Sequence, residues 1–268
     1  MTEQSNLIFI KLGGSLITDK NKPMTARKGV IRRLTQELAE FRQAQPERRI
    51  LVGHGSGSFG HTVASRYNTQ NGVRTDEEWL GFAEVWAAAR QLNQIVMSSF
   101  AEAGLPTISF PPSAGMITVE KQIQSWDLAP IRQALAHGLI PVVQGDVIFD
   151  SALGGTIFST ERVFQHLAQA LHPAQILLAG ADPGVYRDPA APEDIIPTIT
   201  PDTYPAIRST LSGSQSPDVT GGMLAKVELM LALVEADLGL SVRIFSGAPS
   251  GALSQALTGE QIGTSLHA

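Results

Sequence analysis

The chain has 268 residues, 43% hydrophobic and 17% charged, with 20 basic against 25 acidic side chains and a formal charge of −5. That composition belongs to a globular chain with a sizeable core; it excludes a disordered polymer and a broadly basic nucleic-acid surface. Cysteine is absent, so disulfides and thiolate metal sites are excluded too.

The first predicted element is Leu7–Leu12, LIFIKL, apolar on consecutive positions as in a parallel strand covered on both faces. Its apolar run is too short for a signal peptide. No run approaches the roughly 20 residues of a membrane helix, so no membrane partner and a cytoplasmic location are the default expectations. A helical pattern spans 25–44 and a strand Ile50–Val52. The stretch GHGSGSFGH, Gly53–His61, follows and leads into a further helical pattern. A long amphipathic helix is expected over 76–102, with Val85, Ala88, Leu92, Ile95 and Ser99 on one face. Next come a strand at Thr107–Phe110, a helix at 128–137 and a strand at Ile140–Val143. Gln144–Ile157 reads as a β-hairpin turning at Gly154-Gly155. A helix at 160–171, a strand at Ile176–Ala179, a loop-rich excursion over 181–221 with a short helix near 201–208, a helix at 222–237 and a strand at Val242–Phe245 complete the chain. Strands alternating with helices predict an α/β fold: a three-layer αβα sandwich with a mainly parallel central sheet, in one domain over 1–268.

Three glycine-rich sites punctuate this pattern. KLGGS, Lys11–Ser15, places Gly13, Gly14 and Ser15 after the first strand, where amides face the carboxyl edge of an α/β sheet. A plain turn with a solvated lysine is the alternative. In the second, Gly55, Ser56, Gly57 and Gly60 precede a helix, so their amides can converge on an anion, with His61 behind them to hydrogen-bond a phosphate oxygen. His54 reads as a structural residue holding the loop. No Gly-Lys-Ser/Thr ends this stretch, which excludes a Walker A loop. Gly55, Gly57 and Gly60 fit G-x-G-x-x-G literally but lack the following acidic residue of a dinucleotide site. The third, DVTGGMLAK, opens the last long helix with Gly222 and puts Lys226 one turn in. Two anion sites with a lysine each suit phosphoryl transfer, which needs phosphates aligned and equatorial charge neutralised more than covalent help. Magnesium held mainly through nucleotide oxygens requires no protein metal cage.

KLGGS, GHGSGSFGH, GADPGVYRDP and DVTGGMLAK, in that order over nearly the whole chain, resemble the amino acid kinase superfamily. The H-G-x-G-S-F-G-H loop is most similar to that of the isopentenyl phosphate kinases, which convert an isoprenoid monophosphate to its diphosphate with ATP. Kinases of phosphonate antibiotics carry a similar loop. The resemblance implies an acceptor-binding lobe over about 1–172 and a nucleotide lobe over about 173–268. Gly55 and Gly60 amides would cradle the acceptor phosphate, His61 would bond it, and Lys11 would stabilise the transferring group. Gly180 and Ala181–Arg187, with Asp182, Val185 and Tyr186, would surround base and ribose; Gly222 and Lys226 would meet the phosphates. Lys20, rather than Lys22, would be a further phosphate lysine, and Asp146 and Gly155 would shape the acceptor side. A homodimer is implied as well.

One departure stands out. Ser159-Thr160-Glu161 occupies the place where relatives carry Ser-Gly-Asp, whose aspartate holds the catalytic lysines. Glu161 keeps the charge with one more methylene, and Asp182 and Asp146 are the other acids that could take the role. On the acceptor side, Trp79, Phe82 and Trp86 fall at i, i+3 and i+7, able to line an apolar slot for a five-carbon tail closed by Ile148 or Phe149, or simply to pack the core. The competing functions are a kinase of another acceptor (fosfomycin, or a carboxylate such as glutamate) and a non-catalytic nucleotide- or anion-binding protein.

Overall fold

The computed structural model describes residues 6–188, 190–191, 193–211 and 222–268. In chain order, β1 (Leu7–Leu12) runs through the short α1 (Gly14–Ile17) to α2 (Lys28–Ala44), and β2 (Arg49–His54) leads into α3 (Gly57–Tyr67) and the long α4 (Asp76–Glu102). Then come β3 (Thr107–Ser109), β4 (Ile117–Val119), β5 (Gln122–Ser125), α5 (Ala129–Ala136) and β6 (Ile140–Gln144). The hairpin β7 (Asp146–Asp150) and β8 (Gly154–Phe158) follows, then α6 (Thr160–Leu171) and β9 (Gln175–Gly180). The remainder holds β10 (Val185–Tyr186), β11 (Ile195–Ile196), β12 (Thr198–Ile199), α7 (Tyr204–Leu211), α8 (Gly222–Ala236), β13 (Ser241–Ser246), α9 (Ala252–Leu257) and β14 (Thr264–Leu266).

The main sheet has the order β12-β14-β13-β9-β1-β2-β6-β3 and is parallel except where β14 runs against β13. Strand β1 is central: the strands after residue 173 lie on one side of it, and β2, β6 and β3 on the other. Side chains alternate along its strands and build two cores. Leu7, Phe9, Leu51, Val143, Ile176, Leu178, Val242 and Ile244 join the α6–α8 layer. Ile8, Ile10, Ile50, Val52, Val142, Leu177 and Phe245 join the layer of α2, α4 and α9. This is the expected three-layer sandwich. Because every second residue shares a face, Lys11 belongs to the side of Phe9, toward α6 and α8.

A separate four-stranded sheet, β5-β4-β7-β8, stands beside the main one. Its β7–β8 turn covers Ser151–Leu153 rather than Gly154-Gly155. The Asp150 carboxylate fixes it by accepting the Ala152 and Leu153 amides, and it also accepts Lys121 N–H and the Thr118 hydroxyl. Side-chain chemistry at the strand end, not the glycine pair, closes the hairpin. Helix α4 starts where its capping box demands: Thr75 Oγ1 accepts from Glu78 N while the Glu78 carboxylate accepts from Thr75 N. The short helix of the excursion runs over Tyr204–Leu211, later than expected. Among the described residues, no helix is long and apolar enough to cross a membrane.

Candidate active site

Strand register brings the singled-out loops to one edge. Leu12 pairs with His54 and Ala179, His54 with Gln144, and Ser246 with Gly180, so KLGGS, the glycine loop, Gly145-Asp146 and the Gly180 loop leave the sheet side by side. KLGGS and the glycine loop touch each other directly. A Cβ on Gly14 would lie 2.5 Å from the Gly57 amide nitrogen, and Gly57 itself has φ +48°. Thr18 pins the contact by donating to Gly14 O (2.6 Å) and accepting from Ser58 N (3.0 Å). Bare backbone is therefore required first by loop packing on loop, and only through that by a ligand.

The donors left open differ from those expected. The Gly13 amide bonds Ala179 O, Gly55 bonds Leu12 O, and Gly60 bonds Ser56 O. These three amides, those of Gly55 and Gly60 among them, are already engaged within the fold. The amides of Gly14, Ser15, Ser56 and Gly57 make no hydrogen bond among the described residues. These four N–H groups lie at two abutting helix starts, where unsatisfied amides carry partial positive charge. His61 lies on α3, half-buried, and no hydrogen bond engages its ring among the described residues. His54 is part of the framework, as expected. It is buried, with Nε2 3.0 Å from Asn93 Oδ1 and Nδ1 3.2 Å from Gly55 O, and burial lowers its pKa, keeping the ring neutral.

Lys11 is not a solvated lysine. It is 8% exposed and its ammonium pairs with the Glu161 carboxylate at the start of α6. Burial pushes Glu161 up, but Lys11 and then Lys226 outweigh it and hold the carboxyl well below its ordinary range. The longer side chain thus still lies in the fields of both lysines. Thr160 is buried, and its hydroxyl donates to His54 O at 2.8 Å, tying the acid's helix to the glycine loop. Lys20 is exposed in the turn between Thr18 and Ala26 and makes no hydrogen bond or ion pair among the described residues.

On the other side of β1, Tyr186 donates to Asp182 at 3.3 Å, and Gly180 heads the loop. Val185 does not face this edge: its side chain is fully buried in the α6–α8 core and its amide bonds Thr264 Oγ1. Gly222 opens α8 with φ +63°, and Lys226 is half-buried one turn on. Asp218–Gly221 of the DVTGG stretch lie outside the described residues.

Beyond the glycine loop, Trp79, Phe82 and Phe149 form an aromatic cluster with ring centroids 5.1–6.0 Å apart. Phe82 is buried, whereas Phe149 is 46% exposed. Trp86 is not part of it: it faces solvent beneath Arg90. Nor is Ile148, which strand alternation turns into the main core. Gly155 supports the cluster from below, since a Cβ there would strike the Phe82 ring at 2.7 Å. Asp146 is 2% exposed; burial raises its pKa to about 6, against hydrogen bonds from Ser113 and Val147 that pull it down. Asn93, Ser109 and Ser113 belong to none of the motifs read from the sequence. Only a polar residue on the apolar face of α4 could have pointed to Asn93.

Among the described residues, no group of three His, Asp or Glu side chains is arranged to hold a metal. The amino acid kinase family model matches residues 6–246. Isopentenyl phosphate kinase of Methanothermobacter thermautotrophicus is 32% identical over 265 residues, covering 96% of this chain and 97% of its own. That of Haloferax volcanii is 34% identical over 263 residues, with 98% and 99% covered. A crystal structure of isopentenyl phosphate kinase superposes with a TM-score of 0.81 at 28% identity over 97% of this chain and 99% of its own. With the family model matched over most of its length, the same fold and end-to-end identity above 30%, the chain belongs to the amino acid kinase family, in its isopentenyl phosphate kinase branch.

Proposed function

We propose that the protein transfers the γ-phosphoryl group of ATP to the phosphate of isopentenyl phosphate, giving isopentenyl diphosphate and ADP. One observation carries this reading: Glu161 holds Lys11 on β1 and lies in the field of Lys226 on α8, between the glycine loop and the nucleotide-side loops. Two positive charges fixed about one buried acid are a device for charge developing between two phosphates. An acceptor phosphate oxygen attacks the γ-phosphorus as the bond to the β,γ-bridging oxygen breaks. The Gly14, Ser15, Ser56 and Gly57 amides steady the phosphates, His61 bonds the acceptor's, and Lys11, Lys226 and Lys20 neutralise the equatorial oxygens.

Asp182 and Tyr186 border the nucleotide side, so residues 1–172 serve the acceptor and 173–268 the nucleotide. Glu161 is already engaged by Lys11. Magnesium, when bound, is therefore carried by phosphate oxygens, whose charge it shields. A cytoplasmic homodimer accords with this reading. Trp79, Phe82 and Phe149 offer the apolar surface that a five-carbon tail needs and that glutamate does not. A coupled ADP-release assay over isopentenyl phosphate, dimethylallyl phosphate, fosfomycin, glutamate and carbamate tests this. Turnover is expected on the isoprenoid phosphates; turnover confined to another member assigns that acceptor instead, and none at all leaves a binding protein.

A further inference from the structure

The segment FSGAPSG, Phe245–Gly251, belongs to none of the glycine sites above, yet its backbone is held more firmly than an ordinary surface loop. It leaves β13 at Ser246, which pairs with Gly180 at the sheet edge. Gly247 N bonds Gly180 O at 3.0 Å and Ser246 Oγ donates to Ala181 O at 3.1 Å, so the loop is stitched to the start of the ADPG loop. A Cβ on Gly247 would lie 2.6 Å from Leu16, so the loop also abuts α1, whose first turn carries the Gly14 and Ser15 amides. From outside, two side chains of α2 grip it. Arg33 Nη2 donates to Gly247 O (2.5 Å) and Ala248 O (3.1 Å), while Nη1 donates to Pro249 O (3.0 Å) and to the Glu37 carboxylate (2.6 Å). Glu37, 7% exposed, accepts in addition from Gly251 N and Ser254 N, both at 3.1 Å, and so caps α9 from another element.

We infer that the Arg33–Glu37 pair is a positioning device for the nucleotide side: it sets the 246–251 loop, and through it the Gly180–Asp182 loop and α1, at the spacing a nucleoside triphosphate requires. One planar guanidinium donating to three consecutive carbonyls forms an arrangement no other side chain reproduces, since a lysine offers a single point charge. The pair lies on the helix that follows the phosphate turn, whereas the loop it holds belongs to the segment assigned to the nucleotide. It therefore locks the two parts of the chain together at the edge where they must meet. Neither residue touches the reacting groups.

This rests on the nucleotide assignment made above, and the test separates the two. Nucleotide affinity is measured by calorimetry with a non-hydrolysable ATP analogue, and KM for each substrate by steady-state kinetics, in wild type, Arg33→Lys, Glu37→Gln and Glu40→Gln. The last alters an exposed Gln36–Glu40 pair on the same helix and is the control. Arg33→Lys and Glu37→Gln are expected to weaken nucleotide affinity about three- to tenfold and raise KM for ATP in parallel, leaving KM for isopentenyl phosphate unchanged. Glu40→Gln should match wild type. A lowered melting temperature with unaltered nucleotide affinity, or an equal change in both KM values, overturns the inference. Wild type that binds the analogue but does not phosphorylate isopentenyl phosphate overturns the acceptor assignment and leaves the clamp standing.

Discussion

Glu161 and Lys11 are 150 positions apart in sequence and form a nearly buried ion pair at the carboxyl end of β1. Removing one partner of such a pair leaves an uncompensated charge, which costs far more than the pair contributes. Glu161→Gln should lower stability by about 3 kcal/mol and turnover by roughly a hundredfold, since Lys11 and Lys226 would repel without their common acid. Glu161→Asp, shorter by one methylene, should keep most of the stability and lose roughly tenfold in kcat. Denaturant unfolding alongside kcat checks both.

The His61 ring makes no hydrogen bond or ion pair among the described residues, so its truncation removes no polar contact of the fold. His61→Ala is expected to lower kcat/KM for isopentenyl phosphate about a hundredfold, leaving stability and nucleotide affinity close to wild type. Equal loss of nucleotide affinity would take His61 off the acceptor side.

Thr160 separates hydroxyl from methyl. Thr160→Val keeps the shape but leaves the His54 carbonyl with the 3.2 Å bond from Gly145 N alone; it should cost about 1–2 kcal/mol and lower kcat. Thr160→Ser retains the bond and should stay nearer wild type. Comparing the two in urea, with kcat beside each, decides it.

Asp146 titrates in the other sense from Glu161. Its folded pKa is raised from 3.8 to about 6, so the folded state holds the proton more tightly. The stability this contributes is fully present below about pH 3.8 and is lost as pH rises through about 6, for a total of about 3 kcal/mol. Asp146→Asn should abolish that slope. Melting temperatures of the two proteins should converge near pH 4, with the variant higher at pH 7.5.

Aromatic position, not aromatic identity, should govern tail binding. Phe149→Ala should raise KM for isopentenyl phosphate several-fold at small cost in stability, because Phe149 is half exposed. Phe82→Ala should destabilise by about 3–5 kcal/mol, as a large core truncation does. Trp86→Ala should change neither. Steady-state kinetics with thermal melts distinguishes the three.

The residues of the chain carry its layers plainly. Strand and helix spans fell on expectation where apolar period and length agree, as in β1, α4 and α6, all three matching end for end. What escaped notice was set by contacts between distant residues. The β7–β8 turn is closed by Asp150, not by its glycines. Phe149 rather than Ile148 reaches the aromatic cluster because pleat direction, invisible in a continuous apolar run, decides it. The commitment of the Gly55 amide follows from its loop meeting the end of β1, which no local spacing encodes, whereas Gly60 makes a local bond to Ser56 at the start of α3. α9 and β14 are too short for their period to register, and the Glu37 cap that starts α9 comes from 214 residues away.

The contact of Gly14 with Gly57 has a consequence for engineering. A glycine loop borrowed from a relative with a different acceptor would arrive with a surface moulded to its own KLGGS turn. Grafted alone, it would meet a counterpart of the wrong shape. The transplantable module is the pair of turns together with Thr18, which staples them.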